Sequence, residues 1–407
     1  MRISTASFYE NASGKISQLQ STLAEKQTQI ASGRRILTPA DDPVGAAAAL
    51  DVSQAQAVNT QYGANRESAK NALSLQESSL GQYTNLLQNI KTLTIAAGNA
   101  ALDDTQRKSI ATELSGNLED LVGISNTRDS AGNYIFAGYK STVQPFAQTA
   151  AGVTYSGDQG QRLLQVSASR QLALNDSGDA IFQNIKTGNG KFTTAAGSAN
   201  TGTGIVNPGS VTNQAALTNH NYSIDFNVAG GNTSFNVYDL TLDPGRTAPL
   251  AASGPYVSGQ AISFDGVQFD ISGAPANNDK FSLQPSTNQS VFKTVGDLIN
   301  TLNTPATGAT GKAALQTGLS IANGNLSAAL DTVLTVRASG GARLQELDML
   351  DSEGADRGLQ YAARLSSLQD LDYAKAITEL TQQQVTLQAA QQSFVKIANL
   401  SLFDYIR

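Results

Sequence analysis

The sequence predicts an α+β multidomain protein in which long N- and C-terminal helices pair as an α-helical coiled-coil bundle around an inserted all-β outer domain. Three observations carry this reading. Residues 1–140 and 289–407 are rich in Ala, Gln and Leu. Residues 141–288 between them are rich in Gly, Thr, Asn and aromatics. Apolar residues recur every seven positions in the flanking zones and alternate with polar ones in the middle, the two periods that separate helix from strand. The expected divisions are 1–45 (terminal helix and linker), 46–140 (first half of a helical rod), 141–288 (β-rich domain), 289–360 (second half of the rod) and 361–407 (C-terminal helix).

The first helix carries Tyr9, Ile16, Leu23, Ile30 and Leu37 at seven-residue spacing, with Leu19 on the adjoining row. Gly33 is placed to end it, since Gly adopts the left-handed conformation at low cost. Asp42 then offers an N-cap and Pro43 a first helical residue that loses no needed hydrogen bond. A long helix is predicted from there to about Gly98, with Leu73, Leu80 and Leu87 on one row and Gln76, Tyr83 and Ile90 on the other. Asp103 or Asp104 starts the next, whose buried face is Ile110, Leu114, Leu118 and Leu121.

The middle zone reads as strands. Asn221–Val228 and Ser234–Tyr238 alternate around Ala229-Gly230-Gly231-Asn232, which predicts a hairpin. Ala261–Phe264 and Val267–Ile271 flank Asp265-Gly266 and predict a second. Lys280–Leu283 is expected as an edge strand, and 187–219 as strand ends and loops. Past it, Phe292, Val295, Ile299 and Leu302 mark a short amphipathic helix. A long one follows Pro305 and Gly311. Its rows are Leu319, Leu326, Val333 and Leu347, with Gly340 in the vacant slot, and Leu315, Ala322, Ala329, Val336 and Leu350. Gly340-Gly341 is expected to weaken or bend it, each Gly costing about 1 kcal/mol relative to Ala. The final helix has Tyr373, Leu380, Leu387 and Phe394 on one row and Ile377, Gln384, Gln391 and Ala398 on the other. Gln on a seam costs stability and specifies register, so the terminal helices are expected to order only when paired. Seam pattern alone fits a self-sufficient bundle better than an assembly surface, because most amphipathic helices are simply core.

Composition removes several functions. Net charge is -6, and the basic pairs Arg34-Arg35 and Arg107-Lys108 are isolated. A nucleic-acid footprint needs clustered Lys and Arg, so no nucleic-acid partner is expected. The chain has no Cys, hence no disulfide or thiolate metal site. The start, Met1-Arg2-Ile3-Ser4-Thr5-Ala6-Ser7, is followed by no apolar run, so a cleaved signal peptide is not expected. No run long enough to span a membrane occurs, so membrane insertion is not expected either. His220, the single histidine, precedes a strand and is expected as an exposed loop residue. Asp41-Asp42 and Asp103-Asp104 have the composition of a glycosidase carboxylate pair. Both sit at helix starts, where capping explains them better. No catalytic residue, metal site or cofactor is expected, and the protein is not expected to be an enzyme.

The stretch Ala31-Ser32-Gly33-Arg34-Arg35-Ile36-Leu37-Thr38-Pro39-Ala40-Asp41-Asp42-Pro43-Val44-Gly45-Ala46-Ala47 resembles the N-terminal signature of the flagellin superfamily. Gly132–Lys140 with Gln144-Pro145-Phe146, the ending Ser401–Arg407 and the segment Ser258–Gly266 resemble its hook-associated branch more than flagellin itself. The likeness is weakest over 187–219. It implies a secreted structural subunit of the bacterial flagellum, exported by the flagellar type III system without a cleaved signal. It implies an adaptor between hook and filament, whose partners are further copies of itself, the preceding hook-associated protein, flagellin, and a cytoplasmic export chaperone. It also implies that the terminal helices polymerise. The expected assembly seam is then Tyr9, Ile16, Leu23, Ile30, Leu37, Tyr373, Ile377, Leu380, Leu387 and Phe394. A flagellin-type filament subunit and an extracellular adhesin are the competing readings.

Overall fold

The computed structural model describes residues 5–150 and 152–399. Met1–Ser4 and Ser401–Arg407, singled out above, lie outside the described residues, as does the side chain of Ala398. The chain divides into two compact units, one made of Met1–Asn65 with Met349–Arg407 and the other of Arg66–Asp348.

The elements run α1 (Thr5–Ser32), α2 (Pro43–Ala97), α3 (Asp104–Ser125), strands β1 (Phe146–Thr149), β2 (Gly152–Tyr155), β3 (Leu163–Ser167), β4 (Arg170–Ala173), β5 (Ile185–Lys186), β6 (Phe192–Ala196), β7 (Ile205–Val206) and β8 (Ser210–Val211). Then come β9 (Tyr222–Ala229), β10 (Asn232–Asp239), β11 (Gly254–Pro255), β12 (Ala261–Phe264), β13 (Val267–Ser272), β14 (Lys280–Pro285) and β15 (Asn288–Gln289). The chain ends in α4 (Val291–Asn303), α5 (Gly308–Gln369) and α6 (Tyr373–Asn399).

The larger unit holds two hydrophobic cores. The first is helical and confirms the predicted rows. Leu73, Gln76, Leu80, Tyr83, Leu87 and Ile90 of α2 are all buried, as are Leu315, Leu319, Ala322, Leu326, Ala329, Val333 and Leu347 of α5. Helices α3 and α4 pack on each other and on this core. Asp103 caps α3 in a reciprocal box with Gln106, its carboxylate accepting the Gln106 N–H at 2.7 Å while the Gln106 side chain accepts the Asp103 N–H at 3.0 Å. The helix α5 continues through Gly340-Gly341 without a break. Tyr83, Phe136, Phe146, Phe182 and Phe292 form an aromatic cluster, with ring centroids from 4.7 Å for Tyr83–Phe182 to 6.2 Å for Phe182–Phe292. Segments Phe146 to Ile185 therefore pack on helices, so the zone 141–288 is shared between two cores. The hairpin β3–β4 is held by side chains. Arg66 donates to the Val166 carbonyl at 3.0 Å, and Arg343 donates to the Ala173 carbonyl at 3.1 Å and pairs with Asp176.

The second core is all-β. A five-stranded antiparallel sheet, ordered β11-β10-β9-β14-β6, shares it with a smaller sheet of β12, β13, β7 and β8. Both predicted hairpins form. Ala229 pairs with Asn232 across Gly230-Gly231, whose φ values of 58° and 83° suit a tight two-residue turn. Phe264 pairs with Val267 across Asp265-Gly266. Two expectations are corrected. The strand β14 is interior, because β6, drawn from the apolar-poor stretch 187–219, pairs along its far side through Leu283↔Thr194. His220 is partly buried and its Nδ1 lies 2.6 Å from the Asp239 carboxylate, so it ties two strand ends together and is not a free loop residue.

Candidate assembly surface

Helix α1 is long for the apolar surface it carries and has no Pro, so it persists as a single rod until Gly33. There φ turns to +70°, which Gly accepts and other residues resist. Helix α6 is its antiparallel partner. Tyr9 meets Phe394 edge to face, with centroids 5.9 Å apart at 88°. Lys26 Nζ lies 2.8 Å from Glu379 Oε2. The same register sets Ile16 opposite Leu387 and Leu23 opposite Leu380. The Lys26 ammonium holds the Glu379 carboxyl below the usual carboxylate range.

The predicted seam residues fall into two groups. Tyr9, Ile16, Leu23, Ile30, Leu37, Leu380 and Phe394 are half-buried, and Leu387 is buried. Tyr373 and Ile377 remain 51% and 52% exposed. The expected second row of α6 is corrected here. Gln384 and Gln391 are exposed with Ile377, and the inner positions are Ala376, Gln383 and Ala390. Both choices satisfy alternating three- and four-residue steps. Ala376 takes the inner face, and Ile377 beside it the outer. A glutamine does reach the interior on each helix. Gln29 is buried and donates to the Arg35 carbonyl at 2.9 Å, and Gln383 is half-buried.

The signature stretch folds into a junction between the ends of four helices. Arg35 N–H donates to the Gln369 carbonyl at 2.7 Å, and Leu371 N–H to the Gly33 carbonyl at 3.0 Å. Arg34 and Asp370 form an antiparallel bridge. The Arg35 guanidinium donates to the Leu368 carbonyl at 2.7 Å and to Asp42 Oδ2 at 3.2 Å. Asp42 Oδ1 accepts the Gly45 N–H at 2.8 Å and caps α2 as predicted. Asp41 accepts the N–H groups of Leu37 and Thr38 at 2.9 and 2.7 Å. Both acids titrate low. The Thr38 amide is the main cause for Asp41, and the Gly45 amide for Asp42, with Arg35 adding to it. They cap and clamp, which accounts for the doublet without catalysis. Spacing along the sequence carries no sign of Arg35's role, because its partner Leu368 lies 333 residues away.

The smaller unit buries little. Among the described residues its buried apolar side chains are Ile36, Ala49, Ala376 and Leu387. Against these stand Val44, Leu50 and Val58 on α2, Met349 and Leu359 on α5, and Tyr373, Ile377, Val385, Val395 and Ile397 on α6, exposed from 40% at Ile397 to 80% at Val44. No helix among the described residues is long and apolar enough to cross a membrane, and no group of acidic or His side chains there is arranged to hold a metal.

Paired terminal helices around an antiparallel insertion define a flagellin-like structural subunit. Residues 3–141 match the bacterial flagellin N-terminal helical region, and residues 195–285 match the D2-like domain of flagellar hook-associated protein 1. The flagellar hook-associated protein 3 of Salmonella typhimurium LT2 is 30% identical over 407 residues, the whole of both chains. Crystal structures of flagellar hook-associated protein 3 from Legionella pneumophila and of FlgL from Xanthomonas campestris superpose with TM-scores of 0.74 and 0.71. They are 36% and 31% identical, over 78% and 77% of this chain and 98% and 99% of theirs. The chain belongs to the flagellar hook-associated protein 3 family, structural components of the bacterial flagellum.

Proposed function

We propose that this chain is the adaptor at the hook–filament junction and that it assembles through its paired terminal helices. One observation carries the reading: the terminal unit exposes apolar side chains along α2, α5 and α6 while burying almost none. Burial of that surface between neighbouring subunits supplies association free energy at about 25 cal/mol per Å² of apolar area, offset by the cost of ordering and immobilising the subunits. Of the predicted seam, Tyr9, Ile16, Leu23, Ile30, Leu37, Leu380, Leu387 and Phe394 hold the two helices of one subunit together. The outward row of Ile377 and Val385 faces the next one. The divisions at 1–45, 46–140, 141–288, 289–360 and 361–407 then describe polymerising ends, rod halves and a β-rich outer part.

The remaining partners follow from the same reading. The preceding hook-associated protein lies on one side and flagellin on the other. Before export through the flagellar type III system, a chaperone covers the exposed apolar positions of α6. No catalytic role is proposed. Deleting residues 1–30 or 380–407 is expected to leave a folded β-rich domain and to abolish assembly; truncated protein that restores motility refutes this. In a deletion strain, electron microscopy is expected to show hooks without filaments and monomeric flagellin shed into the medium. Purified chain growing long filaments alone supports a flagellin instead. Ligand capture by the β-rich domain in a strain with normal filaments supports an adhesin.

A further inference from the structure

We propose that the β3–β4 hairpin, fastened through Asp176, is a strap that ties α2 to α5 and sets how far outward the two helices stay held in a single subunit. Both helices are long, 55 and 62 residues. Both run on past the larger unit, α2 below Arg66 and α5 beyond Asp348. A helix opens from its end until tertiary contacts stop it, because propensity alone holds it only marginally. The fully buried side chains of the helical core begin at Leu80 on α2 and finish at Val333 on α5. The stretches from Arg66 to Leu80 and from Val333 to Asp348 therefore need a fastening of their own.

The hairpin supplies it. A two-stranded hairpin is marginal alone, and this one is bonded to both helices. Arg66 of α2 is buried and donates to the Val166 carbonyl on β3 at 3.0 Å. On the other side, Arg343 of α5 donates to the Ala173 carbonyl at 3.1 Å, and Arg170 of β4 donates to Glu346 Oε2 of α5 at 2.9 Å. Asp176, just past β4, touches both helices at once. Its Oδ2 accepts the Gln76 amide of α2 at 2.8 Å and pairs with Arg343 of α5, while its N–H donates to Gln76 Oε1 at 3.1 Å. Gln161 donates to its Oδ1 at 3.0 Å. Gln76 is 2% exposed, and the Arg343 and Asp176 side chains are 12% and 13% exposed. Removing one charge from so shielded a pair strands the other. Ala69, Leu73 and Leu347 of the helices are buried at this level, as are Val166 and Leu172 of the hairpin. Lys70–Asp348 joins the same two helices, but its side chains are 35% and 65% exposed, a class of pair that contributes little. Outward of the strap burial stops. Among the described residues, Ala49 is the one buried apolar side chain of α2 before Arg66, and α5 has none after Asp348. In an assembly, this leaves the outer lengths of α2 and α5 able to adapt to neighbours while the core stays fixed.

Hydrogen exchange read by mass spectrometry on the full-length monomer tests this. The unaltered chain is expected to show a step in protection. Amides inward of Arg66 on α2 and of Asp348 on α5 should exchange more slowly than those outward of them. Asp176→Asn keeps the shape of the side chain and removes its charge. Arg343→Met keeps much of the apolar stem and removes the guanidinium. Each is expected to move the step inward, to the neighbourhood of Leu80 on α2 and Val333 on α5, with the amides around Tyr83 as protected as before. Lys70→Met is expected to leave the step in place. Asp176→Asn serves as the readout should Arg343→Met fail to fold, which far-UV circular dichroism checks. An unmoved step in Asp176→Asn, an equal retreat in Lys70→Met, or a loss of protection in Asp176→Asn that reaches Tyr83 would each overturn the assignment. The measurement reads one subunit, so it stands or fails apart from the assembly role proposed above.

Discussion

The two units of this chain spend apolar residues in opposite ways. Residues 66–348 bury theirs in two cores, one helical around the Tyr83–Phe182 cluster and one between β-sheets. The unit of α1, α6 and the adjoining parts of α2 and α5 leaves Leu50, Met349, Leu359, Ile377 and Val385 largely exposed. Helical rows of similar spacing are buried in a core in the first case and lie beside exposed apolar side chains in the second. Heptad periodicity alone therefore does not say what a helix packs against; the burial of its neighbours does.

The sharpest way to break this contrast is to exchange the consequences. Phe182→Ala, in the aromatic cluster, is expected to cost about 3–5 kcal/mol in denaturant unfolding. The double substitution Ile377→Asp with Val385→Asp is expected to move monomer unfolding by no more than about 0.5 kcal/mol. It is expected to lower incorporation into flagella sharply, read by immunogold counting at the hook–filament boundary. A large loss of monomer stability from the second change would mean that the outward row of α6 already has its partner within the chain. Tyr83→Phe refines the first half of the comparison. The Tyr83 hydroxyl is buried without a hydrogen-bond partner, and burial pushes its ionisation far up. Removing it is expected to raise unfolding stability by about 1 kcal/mol, measured by urea denaturation.

Much of the fold was legible. Both rows of α2 from Leu73 to Ile90 are buried as read, since a helix surrounded by core must show its period. The Gly230-Gly231 and Asp265-Gly266 hairpins were legible because their turns need residues that tolerate positive φ. Less was legible where the partner decides. Helix α6 offered two equivalent second rows, and the approach of α1 selected Ala376 over Ile377. The strand β14 read as an edge because β6 pairs through Thr193 and Thr194, whose polarity hides a strand. His220 found Asp239 by folding. At the candidate site the terminal rows were visible, and so was the signature around Arg35. Its bonds to Leu368 and Gln369 were not, because backbone carbonyls leave no trace in a sequence.

Acid offers the mildest test of the contrast. Asp41 and Asp42 both titrate below the ordinary value of 3.8 because their carboxylates accept backbone N–H groups in the junction. A depressed folded value means that ionised acid stabilises the folded form above the unfolded value. That contribution fades as pH falls through the lowered values. The junction should hold from neutral pH to about pH 5 and loosen only below the ordinary carboxylate range. Hydrogen exchange is expected to report this as lost protection at Leu37, Thr38 and Gly45, the amides these acids accept from. Asp104 of the larger unit is lowered too, chiefly by the Ala306 N–H that its carboxylate accepts, but the elements it joins rest on a packed core. Amides around Tyr83 are therefore expected to stay protected at a pH where the junction has opened. Simultaneous loss in both places would show that the terminal unit draws its stability from the same core, and that its bare apolar faces are less independent than their exposure implies.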